Sequence, residues 1–113
     1  MAGAQSTIAV TEDSEQVTLV NVFTVAPERQ EELLAALDKA TADVFTGVPG
    51  FISANLHTSL DGNRVINYAQ WSSEQAYLEA LRRPDVREHI GHAAAIAESY
   101  DPTLVRVRSV HHA

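Results

Sequence analysis

Residues 64–77 change period within a few positions, and that change constrains the fold more than any other part of the chain. The stretch Asn67-Tyr68-Ala69-Gln70-Trp71 alternates as a strand, so Asn67, Ala69 and Trp71 share one face. From Ser72 the pattern turns helical. Ser72 reads as an N-cap, and Gln75 three residues on completes a capping box. The face with Asn67 also carries the only Trp of the chain. A buried amide without a partner costs about 1–3 kcal/mol, so the fold must pair Asn67 or leave it for a ligand.

The rest of the chain supplies the sheet and its cover. Residues 1–15 are small, polar and acidic and read as a loose arm, in which Thr7-Ile8-Ala9-Val10 has the composition of an added edge strand. One domain then occupies residues 16–113. Residues 16–25 alternate and are rich in Val, Thr and Phe. Val17, Leu19, Asn21, Phe23 and Val25 take one face; Thr18, Val20, Val22 and Thr24 take the other. Pro27 opens a helix with Glu28, Glu31 and Glu32 at its positive end, and Leu33, Leu37, Ala40 and Val44 follow helical spacing towards Gly47. Val48-Pro49-Gly50 breaks it. Residues 51–60 form a second strand, with Ile52, Ala54, Leu56 and Thr58 on one face and Phe51, Ser53, Asn55, His57 and Ser59 on the other. Asp61-Gly62-Asn63 is a hairpin signal before the third strand, residues 64–71. A second helix runs to about Arg83. A third covers residues 85–98, with Val86, His89 or Ile90, Ala93 and Ala97 on one side. Asp101-Pro102 marks a stop, and residues 104–110 alternate as a fourth strand with Arg106 and Arg108 on one face.

The order β-α-β-β-α-α-β predicts an α+β, ferredoxin-like fold, a four-stranded antiparallel-type sheet under one helical layer. The first and third strands are expected side by side at its centre, running parallel. Asn21 and Asn67 then lie near each other, either satisfying one another as a structural pair or lining a pocket. One helical layer leaves Val20, Val22, Ile66 and Tyr68 uncovered on the other face, which predicts a homodimer.

Composition narrows the function. A net charge of −7 argues against nucleic-acid and anionic membrane partners, which need a basic surface. With no Cys there is no disulfide framework and no thiolate chemistry. No apolar run near 18 residues and no signal pattern is present, so a cytoplasmic protein is expected. The absence of a Gly-rich phosphate loop argues against a nucleotide or flavin cofactor.

With Asn67-Tyr68-Ala69-Gln70-Trp71, Gln75-Ala76-Tyr77, Val48-Pro49-Gly50-Phe51 and the Asp61-Gly62 hairpin in place, the chain resembles the antibiotic biosynthesis monooxygenase family from about Val17 to Val110. Pro-Gly-Phe alone is common, whereas Asn-Tyr-Ala-Gln-Trp ahead of a capped helix is specific. The resemblance implies a dimeric α/β barrel of ferredoxin-like subunits. Within the family it is nearest the enzymes of aromatic polyketide pathways that oxidise polycyclic phenols or anthrones to quinones with molecular oxygen, using no cofactor. It puts Asn67, Trp71, Tyr77 and Arg87 at substrate-pocket positions and His57 at a His position of that branch. Asn67 and Trp71 are then expected as catalytic groups, and Tyr77, Arg87, Asn21 and His57 as substrate-binding ones. The residue types suit the chemistry, which needs an enolate and a peroxy anion stabilised rather than a strong nucleophile. His57 is the candidate base, because imidazole exchanges protons near neutral pH; which face it takes depends on the hairpin register.

Other readings remain beside this one. A heme-degrading branch of the same superfamily uses a first-strand Asn, a heme-ligating His in the last helix and a Trp on the second helix. Asn21 and His89 match the first two, and Ala80 stands where the Trp would be. His89 and His92 have metal-binding spacing but lack a third ligand. A small-ligand-binding dimer without catalysis is the reading from a different class. Taken alone, Trp71 reads as core or dimer interface, Tyr77 as packing and Arg87 as an ion-pair partner.

Overall fold

The computed structural model of the protein describes residues 8–12 and 15–113. Its strands are β1 (Val17–Thr24), β2 (Phe51–Thr58), β3 (Arg64–Trp71) and β4 (Ser99–Val105). Its helices are α1 (Gln30–Asp43), α2 (Glu74–Ala80) and α3 (Pro84–Ile96), and the chain order is β1-α1-β2-β3-α2-α3-β4. The sheet order is β2-β3-β1-β4 with every neighbouring pair antiparallel, so the fold is α+β and ferredoxin-like.

β1 and β3 are central neighbours, but they are antiparallel and not parallel as expected. The reason is topological. The α1 crossover returns the chain so that β2 runs in the direction of β1, and the hairpin at Asp61-Gly62 then reverses it. β3 must therefore oppose both. Gly62 holds a left-handed φ of 84° in that hairpin. Asp61 Oδ1 accepts from the Asn63 N–H at 3.0 Å and from the Ser59 hydroxyl at 2.7 Å.

Several boundaries differ from expectation. β4 runs Ser99–Val105 rather than 104–110, leaving Arg106 and Arg108 beyond it. Its start is pinned by the Glu98 N–H, which donates to the Thr24 carbonyl at 2.8 Å. Pro102 is no stop, because β4 is an edge strand and an edge tolerates the missing N–H. The N-cap of α2 is Ser73, not Ser72, and its side chain accepts from the Ala76 N–H at 3.1 Å. Ser72 instead donates its own N–H to the Gly50 carbonyl at 2.8 Å, and the residue three after Ser73 is Ala76, so no capping box forms. α2 ends at Ala80, short of Arg83, while Pro84 opens α3. The first helix begins as a 3-10 turn, Pro27–Arg29, and a second 3-10 turn, Phe45–Gly47, follows it. Gly50 lies so close beneath α2 that a Cβ there would meet the Ala76 Cβ at 2.4 Å.

Register sorts the side chains. β2 carries a bulge between Phe51 and Ser53, so Phe51 pairs opposite Trp71 and turns inward with Ala54. Simple alternation places it outward with Ser53. The outer face carries Ser53, Asn55 and His57 opposite Gln70, Tyr68 and Ile66. Residues 8–12 form no strand. The Ala9 carbonyl accepts from the Gln70 side chain at 2.9 Å, and Thr7 lies outside the described residues.

The helix-side core falls into two clusters. One gathers Val17, Leu19, Ala69 and Trp71 of the sheet with Val48, Ala80 and Val86. The other gathers Phe23, Val25 and Val65 with Leu33, Ala93 and Ile96. Along β1 the inward series Val17, Leu19, Asn21, Phe23 passes from one cluster to the other, and Asn21 stands in the gap. Along β3 the gap is Asn67.

Candidate active site

Asn21 and Asn67 are direct cross-strand partners, so both amides project from the same point of the helix-facing surface. An apolar pair there would have joined the two clusters into one core. The amide pair interrupts it instead, and a cavity of about 270 Å³ opens at the interruption. The sheet supplies its floor through Asn21, Asn67 and Trp71. The helices supply its roof: Leu37 and Thr41 from α1, Tyr77 from α2, His89 and Ile90 from α3. Tyr100 and Pro102 of β4 close the edge.

The two amides do not satisfy each other. An amide–amide hydrogen bond needs a carbonyl acceptor, and both Asn21 Oδ1 and Asn67 Oδ1 are buried without a partner. Trp71 Nε1 is a third buried polar atom without one. All three residues line the same cavity. Each such atom costs about 1–3 kcal/mol when left unpaired, and all three face a space in which a ligand's polar groups would pair them.

Trp71 is held rigidly. Only 2% of it is exposed, and its ring meets Phe51, Tyr77 and Phe45 edge-on at centroid distances of 5.4, 5.8 and 6.3 Å. Burial pushes the Tyr77 phenol above its ordinary pKa, so near neutral pH it stays protonated and acts as a donor. Among the described residues of the lining there is no Asp, Glu, Lys or Arg. The ion pairs Arg29–Glu32, Lys39–Asp43 and Arg83–Asp85 all lie outside it. Negative charge arising inside would be met by amide, indole and phenol dipoles in a poorly screened space, where fixed dipoles act most strongly. Among the described residues no group of three or more His, Asp or Glu is arranged to hold a metal ion.

The structure therefore brings Asn67, Trp71, Tyr77 and Asn21 together, and it adds His89 to the same wall. It does not bring Arg87 or His57. Arg87 is exposed on α3, on the helical stripe of the exposed Gly91 one turn on, and does not line the cavity. His57 is exposed on the outer face of β2, its Nδ1 3.1 Å from the Asn55 carbonyl oxygen. The hairpin register sends it there: His57 pairs opposite Ile66, one position out of phase with Asn67. Phe51, Phe45 and Tyr100 are lining residues that the sequence does not single out. Phe51 is hidden by the bulge and Tyr100 by the late placement of β4. Phe45 carried a readable signal, an aromatic at the end of the amphipathic run of α1.

The family model for antibiotic biosynthesis monooxygenases matches residues 16–91. Tetracenomycin-F1 monooxygenase of Streptomyces glaucescens is 44% identical over 80 residues, which cover 71% of this chain and 71% of that protein. The structure of SnoaB, a cofactor-independent oxygenase from Streptomyces nogalater, superposes with a TM-score of 0.69 at 28% identity, over 84% of this chain and 95% of that one. A Streptomyces coelicolor monooxygenase in complex with nanaomycin D gives a TM-score of 0.76 at 28% identity, over 87% of this chain and 91% of that one.

Proposed function

The chain belongs to the antibiotic biosynthesis monooxygenase family, and from that membership we propose that it is a cofactor-independent monooxygenase of aromatic polyketide tailoring. Its substrate is a polycyclic phenol or anthrone, its oxidant molecular oxygen and its product a quinone. The observation that carries this reading is the convergence of three unpaired buried polar atoms on one largely apolar cavity.

In the reaction a ring methylene and O2 become a ring carbonyl and water. The substrate first loses a proton, and the electron pair stays on the ring system as an enolate. The enolate passes one electron to oxygen, the two radicals combine to a peroxide, and loss of water leaves the carbonyl. The Asn67 Nδ2–H group donates to the substrate oxygen on which enolate charge gathers, and its Oδ1 is free to accept from a substrate hydroxyl. The Trp71 N–H donates to that oxygen or to the peroxide, and its ring forms a flat wall. Tyr77, kept protonated by burial, donates to a second ring oxygen, and Asn21 completes the polar floor. The cavity lies just under the ~300–1,000 Å³ typical of sites for drug-sized ligands. That suits a few fused rings better than a tetrapyrrole, and Ala80 stands in the wall where the heme pattern has Trp.

A homodimer and a cytoplasmic location belong to the same proposal. Val20, Val22, Ile66 and Tyr68 form an apolar outer face that a second subunit would cover. No helix among the described residues is long and apolar enough to cross a membrane.

The test is aerobic and anaerobic incubation with anthrone, following quinone absorbance. Protein-dependent quinone formation in air that stops without oxygen is expected. Equal rates in air with and without the protein would remove the reading.

A further inference from the structure

We propose that His89 is the base that takes the substrate proton in the first step of this reaction, an inference that rests on the monooxygenase reading above. The role needs an ionisable side chain on the cavity wall that exchanges protons near neutral pH, and histidine is the residue type that does so. The described residues of the lining offer three ionisable side chains: Tyr77, Tyr100 and His89. Tyr77 is pushed further into its protonated form by burial, and a phenol is a poor proton acceptor near neutral pH. His57, the candidate from sequence, lies on the opposite face of the sheet. That leaves His89.

Its position suits a base that must also return its proton. His89 is half-buried on α3, one position before Ile90, and lines the cavity with it. Its neighbour there is Asp43 of α1, whose carboxyl is held below the usual range by the bond and charge of Lys39 and, to a smaller extent, by the charge of His89. The other titratable side chains of the lining are Tyr77 on α2 and Tyr100 on β4, and Glu88 and His92 lie near it in sequence on α3 itself. In the step, a ring C–H bond breaks, its electron pair remains on carbon and oxygen as the enolate, and the proton binds an imidazole nitrogen. The imidazolium is then the one full positive charge that the described lining can offer the enolate.

Deprotonation is separable from oxidation, because it needs no oxygen. Anthrone in deuterated buffer without oxygen, read by mass spectrometry, reports hydrogen–deuterium exchange at its methylene carbon. The wild-type protein is expected to accelerate exchange, and to do so less in acid, where a base on the cavity wall is already protonated. His89→Gln should lower the acceleration by about 100-fold or more and flatten its pH dependence. Quenching of the single Trp by anthrone should remain, as a check on folding and binding. His89→Ala should recover exchange on addition of imidazole, which loss of a packing side chain would not produce. Equal exchange by wild type and both variants, with aerobic quinone formation intact, would overturn the assignment of His89 alone. Wild-type protein that accelerates neither exchange nor quinone formation would overturn the monooxygenase reading and the base with it.

Discussion

The two faces of this sheet treat the same kind of side chain in opposite ways. On the outer face the amides are tied down. Gln70 accepts from the Ser53 hydroxyl at 2.7 Å and donates to the Ala9 carbonyl at 2.9 Å, and Asn55 donates to Ser53 and to the Tyr68 carbonyl at 3.2 and 3.1 Å. On the inner face the Asn21 and Asn67 carbonyls are buried and bonded to nothing. A bonded amide is a structural part, and its removal loses stability. An unbonded one already costs stability, and under the function proposed above it serves a ligand instead. The contrast sorts residues by role without reference to any relative.

Loss of Asn67 should separate the two faces most visibly. Asn67→Ala should lower kcat/KM for anthrone oxidation about 100- to 1,000-fold, the range for loss of one donor to a developing oxyanion. Its unfolding free energy should stay within about 1 kcal/mol of wild type in a denaturant melt, since the deleted carbonyl had no partner. Trp71→Phe sits between the two behaviours. It removes an unpaired donor, for about a tenfold loss of rate, and part of a buried ring packed on Phe51 and Tyr77, for about 1–3 kcal/mol of stability. Gln70→Ala should invert the Asn67 result: a rate within twofold of wild type, and about 1–3 kcal/mol of stability lost as Ser53 and Ala9 lose a partner.

The smallest effect belongs to neither face. At the hairpin tip the Asn63 N–H, and after it the Ser59 hydroxyl, hold the Asp61 carboxyl below the usual carboxylate range. A carboxyl with a lowered folded pKa adds stability above its unfolded pKa of about 3.9 and loses it as pH falls through the folded value. Thermal melts of Asp61→Asn should therefore lie slightly below wild type at pH 7 and converge with it in acid. Catalysis should be unchanged.

Much of this was legible in the chain because period and punctuation carry it. Asp61-Gly62 announced the hairpin, and strand alternation put Asn67, Ala69 and Trp71 on one face. The same alternation puts Asn21 in line with Leu19 and Phe23, so the inward direction of both amides is legible in the residue string. What escaped was set by neighbours rather than by local pattern. Whether Asn21 and Asn67 bond each other depends on side-chain geometry across two strands. The inward turn of Phe51 comes from a bulge that leaves no mark in the residue string. His57 and His89 look alike as sequence, and only register and helix phase send one outward and the other into the cavity wall. Pro102 misled because Pro stops most elements but not an edge strand.

We infer that the inner-face amides interrupt the core for the sake of a ligand. The double variant Asn21→Leu/Asn67→Leu tests it most directly, because Leu at both positions would bridge the two clusters. A thermal melt at or above that of wild type, together with quinone formation no faster than without protein, is the predicted result. A melt lowered by several degrees with oxidation retained would contradict the claim, for the amides would then be part of what holds the fold together.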